Sequence, residues 1–183
     1  MKTCLILIDI QNDYFPDGRM RLVEMEAATA NARMLLQVYR STNSRIIHIQ
    51  HISMDPSGTF FLPETHGVKT HDLVAPLEGE ELVTKNYPNA FRDTHLLEIL
   101  NKEKISDLVF CGAMSHMCID ATVRAACDLG FNCVVAEDAC ATRDLSFYDT
   151  TIKASAVHAA FMAALSGTYA TVLSTKQILQ NSA

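Results

Sequence analysis

Short apolar runs alternate along the chain with longer amphipathic stretches. The runs are rich in Ile, Val and Leu and show little alternation with polar residues, which is typical of strands covered on both faces of a sheet. A short run that ends in Thr and Lys is a further, weaker strand prediction. The predicted strands are Leu5–Ile10, Arg45–Ile52, Glu81–Lys85, Asp107–Gly112, Asn132–Glu137 and Ala170–Ser174.

Helical spacing of apolar residues marks the segments between these strands. Asp93 is a candidate N-terminal cap for one helix, and Gly130 is a candidate C-terminal stop for another. The predicted helices are Met25–Tyr39, a stretch carrying Leu96, Leu97 and Leu100, His116–Leu129 and Asp149–Leu165. Alternating strands and helices predict an α/β fold with a parallel sheet and right-handed crossovers.

The segment from Ser53 to Gly79 follows neither period. It contains three prolines and three glycines, and Phe60, Phe61 and Leu62 stand in a row within it. A loop of this length in a compact domain is usually functional, so we expect a lid or a subunit contact. Three adjacent apolar side chains are costly to leave in water, which favours a cover from the pocket, the domain body or another subunit.

Composition narrows the function classes. The chain has 183 residues, of which 49% are hydrophobic, so one domain spanning residues 1–183 is expected. A net charge of −6 without a basic run argues against a nucleic-acid or anionic membrane partner. No apolar stretch reaches the length of a transmembrane helix. The six cysteines form no C-x-x-C pair and no secretion signal is evident, so we expect reduced thiols and a cytoplasmic protein.

Reactive side chains fall at the carboxyl ends of the predicted strands, where open parallel sheets bind ligands. Asp9 lies inside an apolar run, and a buried carboxylate is costly unless it is paired. Lys85 ends a strand and precedes a loop with two aromatic rings. A structural acid and a solvated surface lysine are the simpler readings of these two residues taken alone.

Cys118 stands out among the six cysteines by its position. It follows a strand end and opens a predicted helix, where free N–H groups and the helix dipole lower the pKa of a thiol. Nucleophilic catalysis needs a thiolate, a group that takes its proton, and donors for an oxyanion. Asp9, Lys85 and Cys118 together could supply these parts at one edge of the sheet.

Four segments of the sequence resemble motifs of the isochorismatase-like cysteine hydrolases. They occur in the family's order and cover almost the whole chain: Leu7–Phe15 (LIDIQNDYF), Val83–Phe91 (VTKNYPNAF), Cys111–Ala126 (CGAMSHMCIDATVRAA) and Glu137–Thr142 (EDACAT). The resemblance implies a six-stranded parallel sheet with helices on both faces. It also implies a catalytic set carried onto Asp9, Lys85 and Cys118.

The resemblance carries further expectations for the site. A cis peptide bond is implied between Ala113 and Met114, with the N–H groups of Met114 and Cys118 forming an oxyanion hole. The aromatic residues beside the motifs are candidate pocket walls: Phe15, Tyr87 and Phe91. Family members are commonly oligomers, so a homo-oligomer closed in part by the 53–79 loop is expected, with a monomer as the alternative.

No cofactor or metal is expected. Nicotinamidases of this superfamily bind a metal through an Asp-x-His pair and a further His, but here the strand reads Ile47-His48-Ile49-Gln50-His51, so the aspartate is missing. Glutamine is a poor ligand for zinc or iron compared with a carboxylate. His66 and His71 lie in the long loop without a clear match to the further ligand. Surface or core positions are the simpler interpretation of these histidines.

Three hypotheses for function follow. The first is a cysteine hydrolase that cleaves a C–N bond, in an amide or ureide, of a small molecule through a thioester. The second is an ether hydrolase of the isochorismatase type that uses Asp9 as its acid, with Cys118 incidental. The third is a non-catalytic α/β binding module. The presence of Cys118 favours the first, because isochorismatases lack the cysteine.

Overall fold

A computed structural model describes residues 2–55 and 57–181. Its main sheet has six parallel strands in the order β3-β2-β1-β4-β5-β8, which confirms the predicted fold class. The first and fourth strands in sequence lie at the centre and are almost completely buried. The six strands are β1 (Thr3–Ile8), β2 (Arg45–His51), β3 (Glu81–Lys85), β4 (Asp107–Ala113), β5 (Asn132–Ala141) and β8 (Thr171–Leu173).

Helices cover both faces of the sheet. One hydrophobic cluster joins the sheet to α1 and α5, and a second joins it to α2, α3 and α4. The helices are α1 (Met25–Ser41), α2 (Leu96–Lys102), α3 (Asp120–Asp128), α4 (Ala154–Leu165) and α5 (Thr175–Asn181). Among the described residues, no helix is long and apolar enough to cross a membrane.

Two helix predictions need correction. The helix expected over Asp149–Leu165 is present, but it begins only at Ala154. Before it stands an antiparallel hairpin of β6 (Leu145–Phe147) and β7 (Thr150–Ile152). Its second strand is a run of β-branched residues, which favour extended backbone. Asp93 does not cap α2, because it adopts a left-handed φ of 55°; the hydroxyl of Thr94 accepts from Leu96 N instead.

The long loop folds back on its own domain. Phe61 is buried, and Phe60 is partly buried against the same hydrophobic cluster. The described part of the loop contains one short 3₁₀ turn, Asp72–Val74. The domain body therefore covers Phe61 and part of Phe60, two of the three apolar residues on which the expected subunit contact rests.

Candidate active site

Asp9 lies directly after the last residue of β1. Its backbone adopts a left-handed φ of 51°, which aspartate tolerates better than most residues, and its N–H donates to Ile49 O on the neighbouring strand at 3.0 Å. The residue is completely buried. Non-glycine residues held in this region of φ cluster at functional sites.

The glycine at the end of β4 brings the cysteine segment close to Asp9. Gly112 has a φ of 125°, and a side chain at this position would collide with the carbonyl oxygen of Ile8. Beyond it, Ser115–Ile119 form a single π turn that leads into α3. Cys118 sits in this turn and is 5% exposed. The Ala113–Met114 peptide bond is cis.

Lys85 is the centre of the cluster. As the last residue of β3 it is 1% exposed, and its Nζ lies 2.7 Å from Asp9 Oδ2. The same nitrogen donates to Cys118 Sγ at 3.2 Å and contacts His51 Nδ1 at 2.9 Å. The structure thus brings the three predicted side chains together and adds His51 to them.

The charges of the cluster are interdependent. Burial alone would lower the pKa of Lys85, but Asp9 and the Cys118 sulfur raise it above its ordinary value, so the amine stays protonated. Burial and the charge of Asp9 raise the pKa of Cys118, against the opposing effect of Lys85. The lowered thiol pKa expected from a helix N-terminus is therefore wrong for the resting site, where burial and the Asp9 charge raise it.

This charge state suits proton transfer within the cluster. A thiol, an Asp9 carboxylate and a Lys85 ammonium sum to zero charge. Moving the thiol proton to Asp9 keeps that sum at zero, whereas releasing it to solvent would leave a net negative charge in a buried site. The arrangement favours Asp9 as the group that receives the proton of Cys118.

Groups at the end of β5, just after it and on α4 hold the cysteine turn in place. Ser115 Oγ donates to Ala141 O at 3.3 Å and lies 2.8 Å from His158 Nδ1. His116 Nδ1 lies 2.6 Å from Thr142 Oγ1. Within the turn, the carbonyl oxygen of Met114 accepts from the N–H groups of Met117 and Ile119. Ser115 and His116 thus make separate hydrogen bonds to the surrounding structure, and these residues of the motif fix the backbone that carries Cys118.

The three aromatic residues predicted as pocket walls make other contacts. Phe15 is buried and stacks on His71, with ring centroids 3.8 Å apart. Tyr87 lies under the guanidinium of Arg92, and Phe91 faces Phe131. None of the three lines the cavity that opens beside His51.

That cavity has a volume of about 300 Å³. It is lined by His51, by the aromatic rings of Phe60 and Phe61, and by several small polar residues of the long loop: Ser53, Asp55, Ser57, Gly58 and Thr59. Its size suits a small ligand, and its wall offers both aromatic and hydrogen-bonding surface. A larger groove of about 680 Å³ lies at the end of β5 and contains none of the clustered side chains.

Residues that follow Asp9 tie the long loop to the site. Asp13 is buried, and its carboxylate accepts from Phe61 N at 2.6 Å. Gly67 packs so closely on this carboxylate that any side chain there would collide with it. Gln11 donates to the carbonyl oxygens of His51 and Val68. The opening motif therefore supplies an acid to the cluster and also anchors the wall of the neighbouring cavity.

Sequence reasoning missed the part played by His51 and Tyr14. His51 ends β2, so the rule that selected Lys85 could have selected it for a role other than metal binding. Tyr14 is buried against Phe61, and its pKa is raised by burial and by the nearby Cys118 and Asp9. Its place close to the cluster depends on the turn after β1, which the sequence pattern does not reveal.

A metal ion does not fit this cluster. Ligand atoms of Asp9, His51 and Cys118 lie within 4.8 Å of one another, which is a spacing that could hold a cation. The ammonium of Lys85 already contacts all three, however, and it competes for the same lone pairs while repelling a second cation. We therefore derive no step through a metal.

Comparison with known proteins identifies relatives over the full fold. Residues 3–177 match the Isochorismatase domain family model. The chain is 50% identical over 180 residues to the isochorismatase family protein YddQ of Bacillus subtilis, covering 98% of this chain and 100% of YddQ. A solved isochorismatase-type hydrolase from Oleispira antarctica superposes with a TM-score of 0.94 at 47% identity, covering 98% of this chain and 96% of its own.

Several relatives carry the names of specific hydrolases. Streptothricin hydrolase of Streptomyces noursei is 32% identical over 141 residues, which are 77% of this chain and 50% of that enzyme. Nicotinamidase 3 of Arabidopsis thaliana is 24% identical, over 81% of this chain and 77% of its own length. Ureidoacrylate amidohydrolase RutB of Rhizobium rhizogenes is 22% identical, over 75% of this chain and 70% of its own length.

Proposed function

The chain belongs to the isochorismatase domain family of hydrolases, and on that premise we propose that it cleaves a carbon–nitrogen bond of a small amide or ureide through a thioester on Cys118. One observation carries the proposal. A buried lysine ammonium lies between a carboxylate and a cysteine sulfur, at 2.7 Å and 3.2 Å respectively. Relatives named as a nicotinamidase and a ureidoacrylate amidohydrolase support C–N chemistry over ether cleavage.

The first half of the reaction is acyl transfer. Asp9 takes the thiol proton of Cys118, and the sulfur attacks the substrate carbonyl carbon. Lys85 keeps the carboxyl group of Asp9 and the sulfur of Cys118 next to each other throughout this step. The carbon–nitrogen bond then breaks, and Asp9 returns the proton to the leaving nitrogen. The acyl group remains on Cys118 as a thioester.

The second half is hydrolysis of that thioester. Asp9, again a carboxylate, removes a proton from water as the water attacks the acyl carbon. The thiolate leaves and is reprotonated, and the carboxylic acid product dissociates. We assign the N–H groups of Met114 and Cys118 as oxyanion donors, each contributing about 3 kcal/mol to the transition state.

The cysteines and the exposed apolar side chains support proposals for the location and the assembly of the protein. All six cysteines are free, which agrees with a cytoplasmic location. We also propose a homo-oligomer. Phe147 and Tyr148 at the tip of the β6–β7 hairpin are 68% and 90% exposed, and we propose them as the contact with a second copy.

A screen for ammonia release tests the proposed function. Primary amides and ureides are incubated with the wild-type protein, with Cys118→Ala and with Cys127→Ala, whose cysteine lies outside the cluster. Removing a nucleophile costs on the order of 10³-fold or more in turnover, so only Cys118→Ala should be inactive. Equal turnover by all three proteins would exclude Cys118 as the nucleophile.

A further inference from the structure

The ammonium of Lys85 has three N–H donors, and three possible acceptor atoms surround it. An ammonium carries three N–H bonds and no acceptor. Around Lys85 Nζ stand an oxygen of Asp9, the sulfur of Cys118 and the Nδ1 atom of His51, at 2.7, 3.2 and 2.9 Å. Because Lys85 is buried, each donor that lost its neighbour would be left unpaired away from water.

The contact with His51 determines the state of its imidazole. A ring nitrogen that faces an ammonium must offer its lone pair, so the hydrogen of neutral His51 is on Nε2. Burial and the charge of Lys85 both lower the pKa of His51, which keeps the ring neutral. His51 therefore acts on Lys85 as an acceptor and adds no positive charge to the cluster.

The backbone of His51 is clamped to the segment that carries Asp9. Its N–H donates to Gln11 Oε1 at 2.8 Å, and its carbonyl oxygen accepts from Gln11 Nε2 at 2.9 Å. Gln11 is completely buried and lies two residues after Asp9. One amide side chain thus fixes the distance between β1 and β2 at the edge where the cluster forms.

We propose that His51 is a positioning residue, which accepts the third hydrogen of Lys85 through Nδ1 and so keeps the ammonium charged and fixed between Asp9 and Cys118. Its importance for turnover rests on the proposed function. The effect of His51 on the Cys118 thiol is independent of the proposed function, because a charged ammonium stabilises the thiolate whether or not a substrate is present.

The test compares three substitutions at one position. His51→Leu removes the acceptor at similar volume. His51→Asn can place an amide oxygen near the position of Nδ1, and His51→Gln is polar and close in size to histidine but reaches towards the position of Nε2. Iodoacetamide alkylation of Cys118 is followed by mass spectrometry of its peptide, and thermal melting confirms that each variant is folded.

We expect Cys118 in His51→Leu and His51→Gln to be alkylated about tenfold more slowly at neutral pH, which corresponds to a thiol pKa about one unit higher. The reason is that an unpaired N–H disfavours the ammonium and weakens its hold on the thiolate. His51→Asn should recover most of the wild-type rate. A role confined to packing would not separate Asn from Gln.

Two alkylation results would overturn the inference, and so would one metal analysis. One is alkylation at the wild-type rate in folded His51→Leu or His51→Gln. The other is a His51→Asn variant as slow as His51→Leu. Stoichiometric zinc retained by the dialysed wild-type protein and lost in His51→Leu would also contradict it, because Nδ1 cannot serve a metal and Lys85 together. Failure of every amide in the ammonia screen would leave these thiol measurements intact.

Discussion

A partly buried cluster at the amino ends of the strands and a more deeply buried one at their carboxyl ends contain similar residue types but differ in character. Each cluster combines a carboxylate, a cation and a histidine of β2. Strand β3 links the two clusters, because it begins directly after Glu80 and ends at Lys85. The members are Glu80, Arg40 and His48 at the amino edge, and Asp9, Lys85 and His51 at the carboxyl edge.

At the amino edge the carboxylate is fully satisfied. Arg40 contacts both oxygens of Glu80, at 2.6 and 2.8 Å. His48 Nε2 and Leu77 N lie within 2.9 Å of the second oxygen. Arginine cannot lose its proton under ordinary conditions, so this cluster has one stable charge state and serves the fold.

At the carboxyl edge the carboxylate is left incomplete. Among the described residues neither oxygen of Asp9 has a hydrogen-bond partner of good geometry, although Oδ2 forms the ion pair with Lys85. Its neighbours are a lysine and a thiol, which can both lose a proton. The comparison shows how similar residues give stability where both carboxylate oxygens are paired and reactivity where a proton can move.

The largest effect on this contrast is expected from Asp9→Asn. The amide cannot take the thiol proton, and loss of a general base costs about 10²- to 10⁴-fold in turnover. The substitution keeps the shape of the side chain but removes the buried charge partner of Lys85, so turnover is compared per folded molecule. Ammonia release measured beside Asp17→Asn, a change at an exposed aspartate, gives the comparison. If Asp9→Asn were as active as Asp17→Asn, Asp9 could not be the general base.

Glu80→Gln should show the reverse behaviour. It breaks the bidentate ion pair, so we expect a loss of about 2 kcal/mol in the free energy of unfolding and a melting temperature lower by about 5 °C. Turnover per folded molecule should not change. Glu78→Gln, at an exposed neighbour, is the control. A stable Glu80→Gln protein with reduced turnover would erase the distinction between the two edges.

The pH dependence of that stability has a definite sign. Burial opposes ionisation of Glu80, but hydrogen bonds from Arg40, Leu77 and His48 outweigh it and lower the pKa from 4.5 to about 2. A depressed carboxyl pKa contributes stability that is present above the unfolded value and is lost as pH falls towards the folded value. The stability difference between wild type and Glu80→Gln should therefore be constant above about pH 5 and shrink towards pH 2. A difference that grew on acidification would contradict this.

The smallest effect concerns assembly and leaves both clusters untouched. Replacing Phe147 and Tyr148 by Asp should lower the mass measured by light scattering at micromolar concentration, because these exposed rings are the proposed contact. Leu129→Asp, at an exposed apolar residue outside the hairpin, should not. A wild-type mass of 20.2 kDa, that of one chain, would end the oligomer hypothesis.

The strands of the main sheet could be predicted from the sequence because buried parallel strands appear as continuous apolar runs. The same runs located Asp9 and Lys85, since a charged residue at the end of such a strand is conspicuous. The pattern places β7 in the helix that follows because Thr150–Ile152 is only three residues long and adjoins an alanine-rich helix. Helix α5 was missed because it spans only seven residues.

The finer features of the site depend on tertiary packing. The raised pKa of Cys118 follows from its burial, which no local pattern discloses. Whether His51 turns Nδ1 to a metal or to Lys85 depends on the rotamer and on the clamp by Gln11. Sequence could name these residues but could not establish which atoms meet.

The thioester on Cys118 is the central claim, and hydroxylamine trapping tests it most directly. An amide found in the ammonia screen is turned over with concentrated hydroxylamine present, and hydroxamate is measured beside ammonia. If the acyl group passes through Cys118, hydroxylamine should intercept the thioester and yield hydroxamate, and Cys118→Ala should yield none. Undiminished ammonia release without hydroxamate would contradict the account.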